Sequence, residues 1–227
     1  MYRGTEILEQ IRILHVLSAM NRAGVETMLM NLYRTIDREK IQFDFAVTTT
    51  ARCDYDDEIE SLGGRSIHYP RYVGKNHFAY TKWWNDFFKA HPEYRIIHGH
   101  IGSTASIYLT IAKKYGCYTI AHSHSTSGGF GMHKVLYKIY SYSTRYIADY
   151  FIGCSTEALV ARYGRRVAGN HDISFVLNNG IDVAKYAFSS QIRKEVLEEL
   201  CLSVNDIIIG TVGRLTPQKN PFFCLIF

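Results

Sequence analysis

Two His-x-His stretches stand out in this chain, His98-Gly-His100 and His122-Ser-His124. Each follows an apolar run of strand length. Residues i and i+2 of a strand face the same way, so each stretch aims two imidazoles at one place. Two chemistries fit. Four neutral imidazoles can ligate a metal. Alternatively, one or two of them can hydrogen-bond a substrate or carry a proton. No carboxylate motif lies near them to complete a hydrolytic metal site, which favours the second chemistry.

Anion chemistry is written in two other places. Residues 18–24 join a strand to a helix start and end in Gly24. Free backbone N–H groups and the positive end of the helix dipole suit a phosphate there. The loop is not a G-x-G-x-x-G, so it is no nicotinamide fingerprint. Residues 213–221 follow a second apolar run and place Arg214 and Lys219 around a turn. A planar guanidinium fork and an ammonium point charge together suit a diphosphate. Asn178-Asn-Gly-Ile-Asp182 is turn chemistry at a corner or hinge.

These groups need elements to hold them. Apolar runs at 11–17, 43–47, 66–69, 95–98, 118–121, 150–154 and 173–177 read as strands. Helical periodicity fills the gaps: 25–36, 54–62, 78–91, 103–115, 134–148 and 156–163. Gly63-Gly64 and Gly164 are helix stops. Repeated strand–helix alternation predicts a doubly wound parallel sheet, a Rossmann-like α/β domain. After the corner at 178–182, Ile192, Val196, Leu197 and Leu200 make one further amphipathic helix. Residues 206–212 then read as a new buried strand, and the apolar end, 221–227, reads as a sticky helix start. The expected organisation is an extension at 1–10, a domain over 11–185, and a linker helix with the start of a second domain over 186–227.

Composition bounds the function classes. With 227 residues the chain can bury a core without staples. Its net charge of +5 suits phosphorylated ligands but is too thin for a dedicated nucleic-acid binder. The five cysteines are odd in number and form no C-x-x-C pair, as expected of reduced thiols in the cytoplasm. No run approaches the ~18 apolar residues of a membrane span. Glu6, Glu9 and Arg12 interrupt the N-terminal apolar stretch, so it does not read as a signal peptide. The Trp83-Trp84 segment, with Arg71, Lys75, Lys82 and Lys89 around it, reads either as a core helix or as an interfacial membrane or partner surface.

Taken in order, several segments resemble one family. They are Arg12-Ile-Leu-His-Val-Leu17, Ala23-Gly-Val-Glu-Thr27, Ala121-His-Ser-His-Ser125 and Ala148-Asp-Tyr-Phe-Ile-Gly-Cys-Ser155, then Asn179-Gly-Ile-Asp182, Gly210-Thr-Val-Gly-Arg-Leu215 and Gln218-Lys-Asn220. The set is similar to the retaining glycosyltransferases of family 4, in their capsule and exopolysaccharide branch. The resemblance implies a GT-B fold, with an acceptor-side N-terminal domain and a donor-side C-terminal one. It implies sugar transfer from a nucleotide-sugar to a saccharide or lipid-linked acceptor with retained configuration. No metal or other cofactor is implied, nor any nucleic acid. The protein is expected in the cytoplasm or at the inner membrane face.

By the same resemblance His124, or its neighbour His122, is the histidine near the transferred sugar. Gly24, Arg214 and Lys219 hold the donor diphosphate, and His98, His100, Asn179 and Asp182 line the cleft. The family's E-x7-E motif would fall beyond Phe227, so the chain reads as a fragment that is inactive alone. The alternatives are a metal-dependent hydrolase built on the His-x-His pairs and a non-enzymatic membrane- or partner-binding domain.

Overall fold

The computed structural model describes residues 10–126, 142–210, 212 and 213. The chain divides into two compact units, Met1–Ile181 and Asp182–Phe227.

The first unit is a seven-stranded sheet in which every neighbouring pair is parallel. Its strands are β1 (Ile11–Val16), β2 (Ile41–Val47), β3 (Ser66–His68), β4 (Tyr94–Gly99), β5 (Tyr118–Ser123), β6 (Tyr150–Gly153) and β7 (Ser174–Val176). They lie in the order β3-β2-β1-β4-β5-β6-β7. The chain winds outward from β1 in one direction, then returns to β4 and winds the other way. The reversal between β1 and β4 is the topological switch point, and in such sheets ligands bind beyond the carboxyl ends of the strands there.

Helices cover the two faces because each carries one apolar stripe. Helix α1 (Gly24–Thr35) and the short α2 (Asp56–Ser61) pack Met28, Leu29, Tyr33 and Ile59 on Phe43, Phe45 and Val47. Gly63 ends α2 at φ +87°, a left-handed conformation that favours glycine. Helices α3 (His77–Ala90), α4 (Ala105–Lys114) and α5 (Thr156–Tyr163) build the other layer, against Leu14, Val16, Ile97 and Phe151. Ser155 caps α5 by accepting from Ala158 N, Gly164 ends it at φ +85°, and a four-residue helix α6 (Arg165–Ala168) leads towards β7.

The tryptophan segment is core. Tyr80, Trp84, Phe87 and Phe88 of α3 are buried, and Trp83 stacks on Phe87 with ring centroids 5.1 Å apart. The interfacial reading is therefore corrected: the aromatic stripe faces the sheet, and its basic neighbours form the solvated face. Most of the expected helix at 134–148 lies outside the described residues, as does the apolar end at 221–227. The described part holds a 3-10 turn at Ser143–Tyr146.

In the second unit Asp182 caps a 3-10 turn, Val183–Tyr186, by accepting from Ala184 N at 3.2 Å. Helix α7 (Ser190–Glu199) follows, capped by Ser189, and buries only Leu197 of its apolar stripe. The expected buried strand at 206–212 does not form within the described residues. Ile207 and Ile209 are 91% and 92% exposed. Its β-branched residues have strand propensity, but a strand needs a neighbour for its backbone hydrogen bonds, and residues 206–210 pair with none.

Candidate functional site

The parallel register decides what the histidines meet. His15 of β1 stands opposite His98 of β4, and His98 opposite Ile120 of β5. His98, His100, His122 and His124 repeat at spacing two, so the strand period lays them on one face. The result is a cluster of five imidazoles across the carboxyl ends of β1, β4 and β5, at the switch point. His15 was absent from the sequence-derived site. It appears in the sequence only as a polar residue of the apolar segment Arg12-Ile-Leu-His-Val-Leu17, with no role given, because its partners are set by register rather than by spacing.

The rings touch directly. His15 Nδ1 lies 3.0 Å from His100 Nε2, His100 Nδ1 lies 2.8 Å from His124 Nε2, and His98 Nε2 lies 3.1 Å from His122 Nδ1. His98 and His100 stack with centroids 4.3 Å apart, and His122 and His124 lie tilted at 4.0 Å. His15 also packs on Phe43 and Phe45. Burial disfavours the imidazolium. Burial, followed by the charge of His124, brings His98 down to about 3. Burial alone takes His124 down to about 4. His15, His100 and His122 are pushed well below the ordinary histidine range, first by burial and then by their histidine neighbours. At neutral pH the cluster is a set of uncharged donors and acceptors. His15 Nε2, His122 Nε2 and His124 Nδ1 are buried without a hydrogen-bond partner.

Two histidine triads could hold a metal, His15–His98–His100 and His100–His122–His124, with ligand atoms within 4.8 Å of one another. Both consist of histidine alone. Two imidazoles on a tetrahedral zinc at 2.0–2.1 Å would set their nitrogens about 3.3 Å apart. The 2.8 Å between His100 and His124 is shorter and is a hydrogen-bond separation.

The other expected groups fall as follows. Gly24 opens α1 and is exposed, and a Cβ added there would meet nothing within 4 Å. Ala23 precedes it and supplies no side-chain cap. Asn179 is exposed at the end of the first unit, next to Gly180, whose carbonyl accepts from Asn31 Nδ2 at 3.3 Å. Asp182 serves as the turn cap in the second unit. Arg214 and Lys219 lie outside the described residues. A cavity of about 240 Å³ opens beyond the ends of β1 to β4, lined by Ser18, Thr48, Tyr69, Arg71, Tyr72 and Ser103 among others. Hydroxyls and one guanidinium there match a polyhydroxylated or anionic ligand.

Comparison with known proteins identifies the family and the fold. The family model described as Glycosyltransferase Family 4 matches residues 22–185. EpsF of Bacillus subtilis (strain 168), a protein named as a glycosyltransferase, is 32% identical over 224 residues, which is 95% of this chain and 57% of that one. CapH of Staphylococcus aureus, named for capsular polysaccharide biosynthesis, is 39% identical over 59 residues, 26% of this chain and 16% of its own. Among solved structures, Anabaena HepE in complex with UDP and glucose superposes with a TM-score of 0.69 at 16% identity, over 94% of this chain and 56% of that one. A glycosyltransferase from Rickettsia africae ESF-5 gives 0.62 at 14% identity, over 87% and 51%. The chain thus spans little more than half the length of EpsF and HepE. The sheet is of the kind found in the N-terminal domain of a GT-B fold.

Proposed function

The chain belongs to glycosyltransferase family 4, and from that premise we propose that it is the acceptor-side part of a retaining glycosyltransferase. The reaction is transfer of a sugar from a nucleotide-sugar to a saccharide or lipid-linked acceptor, in assembly of an exopolysaccharide or capsule. The observation that carries the reading is the row of neutral histidines at the β1–β4 switch point, of which His98, His100, His122 and His124 lie inside the family-matched segment. HepE, which shares this fold, is described with UDP and glucose, and the names of EpsF and CapH supply the polysaccharide class.

In this reading the departing diphosphate gathers negative charge. The N-terminus of α1 at Gly24 suits that charge, and Arg214 and Lys219 are the cations assigned to the donor diphosphate. His124, with His122 behind it, holds a hydroxyl of the transferred sugar. A neutral imidazole does this without adding a charge that competes with the cations. His98, His100, Asn179 and Asp182 belong to the cleft, and the hydroxyl-lined cavity beside β1 to β4 takes the acceptor. The leaving phosphate accepts the acceptor's proton, so the paired carboxylates of glycoside hydrolases have no counterpart here. No metal is needed. Among the described residues no helix is long and apolar enough to cross a membrane, and we place the protein in the cytoplasm or at its membrane face.

The test is transfer by this chain continued through the second half of EpsF. His124→Ala is expected to lower the rate at least 100-fold, about 2.7 kcal/mol of transition-state stabilisation, with nucleotide binding unchanged. Full activity in both His124→Ala and His122→Ala would overturn the assignment.

A further inference from the structure

His124 ends a line of three rings. His15 Nδ1 faces His100 Nε2 at 3.0 Å, and His100 Nδ1 faces His124 Nε2 at 2.8 Å. The two outer nitrogens, His15 Nε2 and His124 Nδ1, are buried and unpartnered. A neutral imidazole carries one N–H and one lone pair. The burial of all three rings keeps them neutral at physiological pH. Three N–H groups are therefore distributed over two ring-to-ring bonds and two outer positions.

Each ring-to-ring bond needs one proton. Two protons between facing nitrogens clash, and none leaves lone pair against lone pair. Only two arrangements satisfy both bonds. Either every ring is protonated at Nε2, or every ring is protonated at Nδ1. The tautomers are tied together, and reversing one reverses all three. The histidine side chain intrinsically favours Nε2–H, and the first arrangement gives every ring that form. It also leaves a lone pair on His124 Nδ1. A buried polar atom without a partner is a place where a bound group completes the network, and a low-dielectric setting strengthens the bond once made.

We propose that His15, His100 and His124 work as one hydrogen-bonded unit of fixed polarity. His15 and His100 are positioning residues that hold His124 as the Nε2–H tautomer, and its Nδ1 accepts from a hydroxyl of the bound sugar. The second part rests on the reading of His124 given above, and the first does not.

The test is imidazole 15N NMR on the histidine-labelled 227-residue chain without ligand. The expected pattern is a protonated Nε2 and a bare Nδ1 in all three rings, with no titration between pH 6 and 8. In His15→Phe, two rings away, His124 is expected to show both tautomers. Mixed tautomers in the unaltered chain overturn the proposal. So does a His124 signal that His15→Phe leaves untouched, and so does stoichiometric zinc on the ring nitrogens. If His15→Phe fails to fold, the unaltered pattern decides alone. UDP-glucose is added afterwards to the continued chain. A His124 Nδ1 that does not move with it counts against the sugar contact, while the tautomers measured beforehand still decide the relay.

Discussion

Asp44 shows at the scale of one residue what a buried carboxylate requires. It is fully buried in β2, and three donors meet it. Arg12 Nη1 lies 2.7 Å from Oδ2, Tyr94 Oη donates to the same oxygen at 2.8 Å, and Arg65 N donates to Oδ1 at 2.8 Å. Breaking a buried pair by removing one partner strands the other. Asp44→Ala is expected to cost about 3–5 kcal/mol in urea unfolding, and a loss under about 1 kcal/mol would contradict this account. Neither Asp44 nor His15 was singled out from the sequence. Each is one of two polar residues in an otherwise apolar strand, His15 with Arg12 in β1 and Asp44 with Gln42 in β2, and its meaning comes from neighbours tens of residues away. The His-x-His pairs were legible because a spacing of two converts directly into a shared face.

Elements were easier to read than residues. Central parallel strands are buried on both faces, so they appear as continuous apolar runs, and all seven fell within a few residues of their expected places. Helices with a stripe over a glycine stop, such as α2 and α5, were equally plain. Residues 206–212 failed the same logic, because propensity cannot supply a pairing partner. Two glycines separate function from packing at this scale. Gly24 has open space around it, and its φ lies outside the left-handed region, so Gly24→Ala should leave stability within about 0.5 kcal/mol. It should nonetheless weaken nucleotide binding in the continued chain, by keeping the phosphate from the bare N-terminus of α1. A Cβ at Gly153 would lie 2.9 Å from both Leu159 N and Ser155 O, backbone atoms that cannot swing aside. Gly153→Ala is expected to destabilise by about 1–3 kcal/mol, as read by the shift in thermal midpoint. Equal stability of the two variants would refute the distinction.

For the molecule as a whole, the histidine cluster sets the response to acid. Folding lowers the pKa of these rings, so the unfolded chain binds more protons below pH 6.5. Stability is therefore full above that pH and falls as pH drops towards about 4 and about 3, the values for His124 and His98. Each ring removes up to about 1.4 kcal/mol per pH unit. Five together exhaust a typical stability of about 5–15 kcal/mol within roughly two pH units. Circular dichroism should find an acid unfolding midpoint near pH 5, and a chain still folded at pH 3 would contradict the buried, neutral cluster.

On the function proposed above, this chain supplies one part of a nucleotide-sugar site and a further domain supplies the rest. Calorimetric titration of UDP-glucose into the 227-residue chain, and into the same chain continued through the second half of EpsF, tests it most directly. The account expects binding in the continued chain and none, or at least 100-fold weaker binding, in the short one. Equal affinity in both would mean that the 227-residue chain already makes a self-sufficient phosphate site, which would contradict it.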